Sequence, residues 1–286
     1  MRLLLVAIAR GDSGITLGSK ARKTLGQILE LQGSQTLLSI TTLSEAVGTS
    51  PSTITRLAQS LGYRGFAGFQ EALLSASMVK PGSFYLNQAQ AALHGGDTSS
   101  KRRATQLCRE NQANIDRLID AFDTDSFDQS VGLIVNAPRV AVYGIRQFHS
   151  FAAFLTYGLR MVRSDVALLD ANALGIAEEL ASMDDRDVLI VASCAPYSRG
   201  VAEVARISAE CGLKVISITD RASSPLVDHS TAVLFAAHES SFLSNSMTAF
   251  IALAECLVNG VAATIPEDAK AALSKRDKLI QWLSVE

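Results

Sequence analysis

The sequence predicts two domains, an all-helical N-terminal domain followed by an α/β domain whose parallel five-stranded sheet is flanked by helices. Three observations lead to this fold class. Apolar residues recur at helical spacing from about residue 18 to residue 77, a polar stretch with Pro, Ser and a Gly pair follows, and from Arg139 onward short β-branched runs alternate with helical segments. Strands that alternate with helices of this length form parallel sheets covered on both faces.

The composition is that of a chain with a buried core. Apolar side chains make up 48% of the 286 residues and charged ones 19%, which excludes a disordered chain. Four cysteines without a CxxC pair exclude a disulfide scaffold and the usual structural zinc site. We therefore expect a reduced, cytoplasmic protein with neither metal nor cofactor. Residues 1–100 hold eight basic and five acidic side chains, which places any surface for a polyanion in the N-terminal domain.

Two apolar segments have features of membrane signals. Residues 1–10 carry a short apolar run between two arginines but lack a clear cleavage site, so a short extension or a misplaced start codon explains them at least as well. Residues 248–265 are long enough to span a bilayer. Glu255 and Asn259 interrupt that segment, and its apolar residues recur at helical spacing. We expect a buried helix there and no contact with a membrane.

We place the N-terminal domain at residues 1–77, with 1–17 as an extension of unassigned role, the linker at 78–104 and the α/β domain at 105–286. Apolar residues at helical spacing mark two helices before the first strand: Ile115, Leu118, Ile119 and Phe122 in one, Phe127, Val131 and Ile134 in the other. The five apolar runs that predict strands begin near residues 139, 166, 187, 214 and 231. Helices are predicted between and after them, near 148–163, 174–183, 199–212 and 244–262.

The N-terminal domain contains the pattern of a helix-turn-helix. Thr42 with Glu45 predicts a capping box that opens a short helix, and Gly48 suits the tight turn that follows. Ser50 is a favourable N-cap and Pro51 is favourable at the first helical position, so a second helix is predicted to begin there.

One face of this second helix is apolar and the other is polar. The apolar face predicts packing of Ile54, Leu57, Ala58 and Leu61. Short polar donors and one arginine on the opposite face suit base edges and phosphates in a major groove. We predict DNA contacts by Ser50, Ser52, Thr53, Thr55, Arg56 and Gln59, with Lys20, Arg22, Lys23 and Arg64 contacting the DNA backbone. Periodicity alone also allows an ordinary helical hairpin with a solvated face.

A specific resemblance favours DNA binding. The segment TTLSEAVGTSPSTITRLAQSLGYRGFAGFQEAL resembles the N-terminal domain of the RpiR-type bacterial transcription regulators, whose pattern is SP-x-T-x-x-R followed by LG-x-x-GF-x-x-F. The matching positions are Ser50, Pro51, Thr53, Arg56, Leu61, Gly62, Gly65, Phe66 and Phe69. The resemblance implies sequence-specific binding of double-stranded operator DNA by residues about 50–60, in a homodimer or a homotetramer.

Polar loops follow two strands of the predicted sheet. The third strand runs into a loop with three hydroxyls before a helix, and the first strand ends at a glycine followed by polar residues. Ligands bind beyond the carboxyl ends of parallel strands, and hydroxyls at a helix N terminus suit a phosphate. No GxGxxG or GxxxxGK[ST] motif is present, which argues against a dinucleotide or nucleoside triphosphate site. The candidate ligand-binding residues are Gly144, Arg146, Ser150, Ser193, Cys194, Tyr197, Ser198, Arg199 and Glu239.

Each of these residues also has a structural interpretation. Serines before a helix commonly cap it, and arginines at a sheet edge are commonly solvated. Cys194 could be a nucleophile, but no partner histidine is identifiable, which favours a packed thiol.

Residues from about 105 to 286 resemble the sugar isomerase (SIS) domain that follows the DNA-binding domain in RpiR-type regulators. The segments that carry the resemblance are VYGIRQFHSFAAFLTYGLR, DVLIVASCAPYSRGVAEVA and GLKVISITDRASSPLVDHSTAVL. It aligns Ser193 and Ser198 with phosphate-binding hydroxyls. Two customary glycines are replaced, by Pro196 in the loop after the third strand and by Arg146 in the loop after the first.

Together the two resemblances imply a transcription regulator whose SIS domain senses a phosphorylated sugar or a related metabolite and thereby changes operator binding. The alternative is a sugar-phosphate (aldose–ketose) isomerase with an accessory helical domain. In that enzyme Glu239, with His229 and His238 near it in sequence, would move a proton between sugar carbons. A third hypothesis is a SIS domain that has lost ligand binding and serves only oligomerisation.

Overall fold

The computed structural model describes residues 17–30, 39–76, 89, 99–170 and 175–283. The chain divides into two compact units, Met1–Lys80 and Pro81–Glu286. The extension predicted at residues 1–17, apart from Leu17, and most of the predicted linker lie outside the described residues. The proposed domain boundaries at residues 77 and 104 stay predictions.

The described elements of the first unit are all helices, which confirms the all-helical N-terminal domain. Its helices are α1 Ser19–Glu30, α2 Ile40–Ala46, α3 Pro51–Ser60 and α4 Phe66–Ala76. One apolar core joins them, because each helix contributes buried side chains to the same cluster. The fully buried members include Leu25, Ile28, Leu43, Ile54, Ala58, Phe69 and Leu73.

The turn between α2 and α3 follows the prediction, but the start of α2 does not. Gly48 has a φ of +62°, which is the left-handed conformation that the tight turn requires. The Ser50 hydroxyl accepts the Thr53 N–H at 3.3 Å, so Ser50 caps α3. The capping box predicted at Thr42 is wrong, because Ser39 is the N-cap and its side chain accepts the Thr41 N–H. The helix therefore begins at Ile40.

From residue 99 onward, the described part of the second unit contains five strands and seven α-helices. Helices α5 Ser100–Asp120 and α6 Thr124–Asn136 come first. The alternating part then runs β1 Val140–Tyr143, α7 Gln147–Val162, β2 Val166–Leu168, α8 Ile176–Ala181, β3 Val188–Ala192, α9 Arg199–Glu210, β4 Lys214–Thr219 and β5 Ala232–Phe235. Helices α10 Thr248–Thr264 and α11 Pro266–Leu283 end the described chain.

The five strands form one all-parallel sheet in the order β2-β1-β3-β4-β5. Val140 is in register with Val166 on one side and with Val188 on the other, so β1 lies between β2 and β3. Helices α6, α7 and α10 pack on one face of the sheet, and α8 and α9 on the other. This confirms the predicted α/β domain with a parallel sheet covered on both faces.

The apolar segment at residues 248–265 forms a core helix. Phe250, Leu253, Leu257 and Val261 of α10 are almost fully buried against α7 and the sheet. No single helix within the described ranges has both the length and the apolar composition needed to cross a bilayer. The predicted buried helix is therefore correct.

Three local features differ from the sequence prediction. Helix α5 begins at Ser100, so the last residues of the predicted linker are helical. Ile119 is 67% exposed, and Phe122, which lies beyond the end of α5, is 40% exposed. At this end of the helix, only Leu118 packs into the core. Helix α11 was not predicted, since most of its apolar residues stay exposed and give a weak periodic signal.

Candidate functional site

Helix α3 presents a polar stripe to solvent. Ser52, Arg56 and Gln59 are exposed and follow one another at intervals of four and three residues, so they lie on one side of the helix. Ile54, Leu57 and Ala58 are buried on the opposite side, as the periodicity predicted. This side is long enough to present three successive side chains to a groove.

The hydroxyls at the start of α3 bond to one another and to the backbone. The Ser50 Oγ lies 2.9 Å from both the Ser52 Oγ and the Thr53 Oγ1. Thr55 is half-buried and donates to the Pro51 carbonyl at 3.1 Å. All four predicted hydroxyls therefore have a partner at the start of α3, and Ser50 and Ser52 are the exposed residues among them.

The predicted basic residues fall into two groups. Lys20, Lys23 and Arg64 are exposed. Arg22 is half-buried, and its guanidinium donates to the Leu17 carbonyl at 3.4 Å. Arg22 thus closes the start of α1, whereas the other three side chains are free to reach a polyanion.

In the second unit, the strand order places two loops at one crevice. The chain leaves β1 for β2 on one side and returns to β3 on the other, so the loops after β1 and β3 diverge at the carboxyl ends of the strands. Such a switch point is where open α/β sheets bind ligands. The first loop is residues 144–146 and the second, which we call the site loop, is residues 193–198.

The first loop turns tightly onto α7. A side chain at Gly144 would clash with the Phe148 backbone, so the close approach of β1 to the start of α7 requires glycine. Arg146, the N-cap of α7, has φ 58° and ψ −126°, a conformation that glycine adopts far more readily than arginine. Ser150 is exposed in the first turn of α7.

The site loop ends at an uncapped helix N terminus. Ser198 is the N-cap residue of α9, but its side chain makes no capping hydrogen bond. The Ser193 Oγ instead lies 3.4 Å from the Ser198 N–H, and the Ser193 carbonyl accepts from the Thr219 hydroxyl at 2.8 Å. The serine-cap interpretation therefore does not describe Ser198, and within the described ranges nothing occupies its hydroxyl or the first amides of α9, which can take an anion.

Cys194 and Tyr197 lie behind the site loop. Cys194 is buried, and its Sγ lies 2.9 Å from the Asn245 amide nitrogen. Burial raises the pKa of this thiol well above its ordinary value, so it stays protonated and is a packed thiol. The buried Tyr197 hydroxyl donates to Asp220 at 2.7 Å, and burial followed by the Asp220 charge raises its pKa. Neither side chain faces a ligand freely.

Asp220, directly after β4, is the centre of a buried charged group. One carboxylate oxygen accepts from Tyr197, and the other accepts from the Arg221 Nε at 2.6 Å and lies 3.1 Å from the His238 Nε2. Burial raises the pKa of the Asp220 carboxyl, but the His238 hydrogen bond and the Arg221 charge outweigh it and lower the pKa to about 2. The group joins the segments after β3, β4 and β5.

The remaining predicted residues, Arg199 and Glu239, differ in their hydrogen bonds and ion pairs. Arg199 is exposed, and its guanidinium makes no hydrogen bond or ion pair with any residue of the described segments. Glu239 is also exposed, but its carboxylate accepts from the Arg117 Nη1 at 2.5 Å and its carbonyl accepts from the Asn114 amide at 2.8 Å. Its carboxylate is therefore held towards α5.

A cavity of about 450 Å³ adjoins these loops. Its walls come from α5, the start of α7, the loop after β5 and the start of α10. The lining residues are Leu107, Asn111, Gln147, Ser150, Ser240, Phe242, Asn245, Ser246, Met247 and Thr248. None of them carries a charge at neutral pH, so the cavity offers hydroxyls and amides beside an apolar patch.

Of the predicted ligand residues, Ser150 lines this cavity. Ser193, Cys194, Tyr197, Ser198, Gly144, Arg146, Arg199 and Glu239 are not among its lining residues. Asn245 connects the cavity to the site loop, because its amide nitrogen lies 2.8 Å from the Ala195 carbonyl and its side chain also lines the cavity.

Sequence reasoning missed Asn111, Asn245 and Ser246. The polar residues directly before the apolar helix α10 were the available signal for the last two, whereas nothing in the pattern of α5 distinguishes Asn111 from a solvated residue. Among the described residues, no group of three or more His, Cys, Asp or Glu side chains could hold a metal ion.

Comparison with known families identifies both units. Residues 16–78 match the helix-turn-helix domain of the rpiR family, and residues 133–260 match the SIS domain. The HTH-type transcriptional regulator HexR of Pseudomonas aeruginosa is 25% identical over 219 residues, which cover 76% of this chain and 74% of HexR.

Two solved structures are similar. The sugar isomerase domain of the RpiR transcription factor from Sphaerobacter thermophilus is 25% identical with a TM-score of 0.59, and the match covers 61% of this chain and 98% of that chain. The Vibrio vulnificus NanR protein, solved in complex with ManNAc-6P, is 21% identical with a TM-score of 0.60 and covers 98% of both chains. At this identity, the second likeness is one of fold.

Proposed function

Because the chain belongs to the RpiR-type transcription regulators, we propose that α3 reads operator DNA and that the switch-point site of the second unit senses a phosphorylated sugar. Ser52, Arg56 and Gln59 would contact base edges from the exposed stripe of α3. Lys20, Lys23 and Arg64 would contact backbone phosphates, which position a protein on DNA without specifying sequence. The operator is chromosomal DNA, so the proposed regulator works in the cytoplasm.

The observation that carries the ligand proposal is the uncapped N terminus of α9 at the switch point. Its free amides, the Ser198 hydroxyl and the partial positive charge of the helix end favour a phosphate group. Arg199 has no partner among the described residues and would add a charge-assisted contact.

The sugar moiety would occupy the adjoining cavity. Its volume of about 450 Å³ falls within the range of small-molecule sites. Neutral amides and hydroxyls, including Asn111, Gln147 and Ser150, can donate to and accept from sugar hydroxyls. The fold likeness to NanR, which was solved with ManNAc-6P, supports a ligand of this class.

We propose that the regulator binds as a homodimer or a homotetramer, because two-fold related recognition helices match operator half-sites about one helical turn apart. Ligand binding would change the packing between subunits and hence the separation of the two α3 helices. Light scattering of the purified protein with and without operator DNA measures the number of subunits.

Fluorescence anisotropy tests the function. The purified protein is titrated onto DNA from upstream of its own gene and onto scrambled DNA, across salt and with a panel of hexose phosphates. We expect tight, sequence-selective DNA binding whose affinity one phosphosugar changes. In the Ser193→Ala variant, that phosphosugar should no longer change the affinity. Equal, salt-sensitive binding to both DNAs would mean that α3 contacts DNA without reading its sequence.

The same preparations distinguish the other hypotheses. Turnover of an aldose or ketose phosphate that Glu239→Gln abolishes would establish the isomerase instead. A phosphosugar panel without any thermal stabilisation would leave the SIS domain an oligomerisation module, since a ligand that binds only the native state must raise apparent stability.

A further inference from the structure

The segment between β5 and α10, residues 236–247, contacts both the site loop and helix α5. We propose that this β5–α10 loop carries ligand occupancy from the site loop to helix α5, and that Arg117 is its anchor on that helix. The inference rests on the proposed function, because it concerns how the same site is coupled to DNA binding.

On the side of the site loop, two side chains make the connection. The Asn245 amide nitrogen lies 2.8 Å from the Ala195 carbonyl and 2.9 Å from the Cys194 Sγ. His238 bonds to Asp220, which in turn accepts from Tyr197 at the end of the site loop. All five side chains involved are buried or nearly so. A ligand that moves the site loop therefore moves the β5–α10 loop.

On the side of α5, four residues of one helix face hold the same loop. The Asn114 amide donates to the Glu239 carbonyl at 2.8 Å, and Arg117 donates to the Glu239 carboxylate at 2.5 Å. The remaining two contacts pair the Ser241 N–H with Glu110 at 2.6 Å and the Ser246 hydroxyl with Asn111 at 2.6 Å.

The spacing of these α5 residues makes them one continuous surface. Positions 110, 114 and 117 follow at intervals of four and three, so they share a helix face, and Asn111, three residues before Asn114, lies beside it. Asn114 is fully buried and uses both ends of its amide, since its oxygen also accepts from Arg117 at 2.9 Å. Helix α5 is thus held by the loop along two turns.

Helix α5 also takes part in the site itself. Leu107 and Asn111 line the cavity together with Ser240, Asn245 and Ser246 of the loop. A bound sugar would therefore touch both partners of the Asn111–Ser246 contact. In the sequence, α5 directly follows the residues that join the two units, and we infer that a displacement of α5 acts on that part of the chain.

Arg117→Gln tests the inference because Arg117 neither lines the cavity nor belongs to the site loop. Arg206→Gln is the matched control, since Arg206 forms comparable exposed ion pairs with Glu203 and Glu210 on α9. Without any ligand, we expect hydrogen–deuterium exchange of residues 236–247 and 193–198 to be several-fold faster in Arg117→Gln and unchanged in Arg206→Gln. Unchanged exchange in both variants would overturn the connection.

With ligand, the probes are fructose 6-phosphate, ManNAc-6P and, as a control, inorganic phosphate. The ratio of operator Kd values with and without a responding probe is expected to lie in the range of about 5 to 150 for the wild type and within about twofold of 1 for Arg117→Gln. The control variant should keep the wild-type ratio. Probe affinity, measured by calorimetry, should be retained in Arg117→Gln.

The outcomes distinguish failure of the β5–α10 route from failure of the proposed sensing function. An Arg117→Gln protein that keeps the full wild-type ratio overturns the β5–α10 route while leaving the regulator intact. A wild type whose operator affinity no probe changes overturns the proposed sensing function, and the exchange measurement then decides on its own whether Arg117 holds the loop.

Discussion

Asp220 is a buried carboxylate that holds side chains from three segments of the second unit. Removing its charge would leave the Arg221 guanidinium, which is 8% exposed, without a counter-charge. We expect Asp220→Asn to lower the free energy of unfolding by about 3 to 5 kcal/mol, the range found when one partner of a buried ion pair is removed. Urea denaturation measures this. Asp184→Asn, which breaks an exposed pair with Arg186, is the control and should leave the midpoint unchanged.

The same carboxylate gives a dependence on pH. Its pKa of about 2 in the folded protein lies below the ordinary value of 3.8, so the unfolded chain binds the proton more readily. The stabilisation, about 2 kcal/mol from this shift, is complete above about pH 4 and disappears as the pH falls towards 2. The difference in unfolding free energy between wild type and Asp220→Asn should therefore shrink over that interval. A difference independent of pH would contradict the role assigned to the carboxylate.

Arg146 occupies a backbone conformation that favours glycine. Its φ of 58° with ψ −126° costs a residue with a side chain about 1 to 3 kcal/mol of folding free energy. Glycine avoids this strain, but it lowers the unfolding free energy by about 0.5 to 1 kcal/mol relative to alanine because it loses more chain entropy on folding. We therefore expect Arg146→Gly to raise the unfolding free energy by about 1 kcal/mol, and Arg146→Ala to give no such gain. Thermal and chemical denaturation of the three proteins provide the comparison. Equal stability of the Gly and Ala variants would show that the backbone carries no strain.

Helices α7 and α10 approach each other through a glycine. A Cβ at Gly158 would lie 2.8 Å from Val258 Cγ2. Because valine is short and branched at Cβ, its methyl groups cannot swing away as the end of a long side chain could. We expect Gly158→Ala to destabilise the protein by about 1 to 3 kcal/mol through overpacking. Val258→Ala in the same chain should recover part of that loss, because it removes the clashing methyl groups. A double variant no more stable than Gly158→Ala would place the strain elsewhere.

Helix α3 is predicted to lose operator affinity when Arg56 is changed. Arg56→Ala should weaken binding by about 1 to 3 kcal/mol, which is roughly 5- to 150-fold, if the guanidinium contacts a base edge. Ser60→Ala is the control, since its exposed hydroxyl donates to the Arg56 carbonyl at the end of the helix away from Ser52. Anisotropy on operator and scrambled DNA should show that the Arg56 variant loses mainly selectivity. Equal weakening on both DNAs would make Arg56 a backbone contact instead.

Elements were easier to predict from the sequence than the ligand site. The five strands and the helices between them were located within a few residues because their apolar runs are uninterrupted and the three inner strands are almost fully buried. The start of α2 was misplaced because Ser39 and Thr42 are both acceptable caps, and only the structure shows which one accepts an amide. Asn111 and Asn245 escaped prediction because the cavity is assembled from segments more than a hundred residues apart.

For the whole molecule, coupling between the two proposed sites must be reciprocal. If a phosphosugar changes operator affinity by some factor, operator DNA must change phosphosugar affinity by the same factor. Calorimetric titration of the responding phosphosugar into the protein, with and without saturating operator, measures the second factor. Scrambled DNA is the control and should leave phosphosugar affinity unchanged. Unequal factors would indicate a third state, such as a change in subunit number.

The position of Leu107 and Asn111 in α5 has a practical consequence for anyone who wishes to exchange sensor modules between regulators. The SIS match begins at residue 133, yet part of the cavity wall lies upstream of it, at Leu107 and Asn111. A chimera joined at the start of the sheet would combine the floor of one binding site with the wall of another. The crossover point that preserves a sensor intact lies before Ser100, where α5 begins.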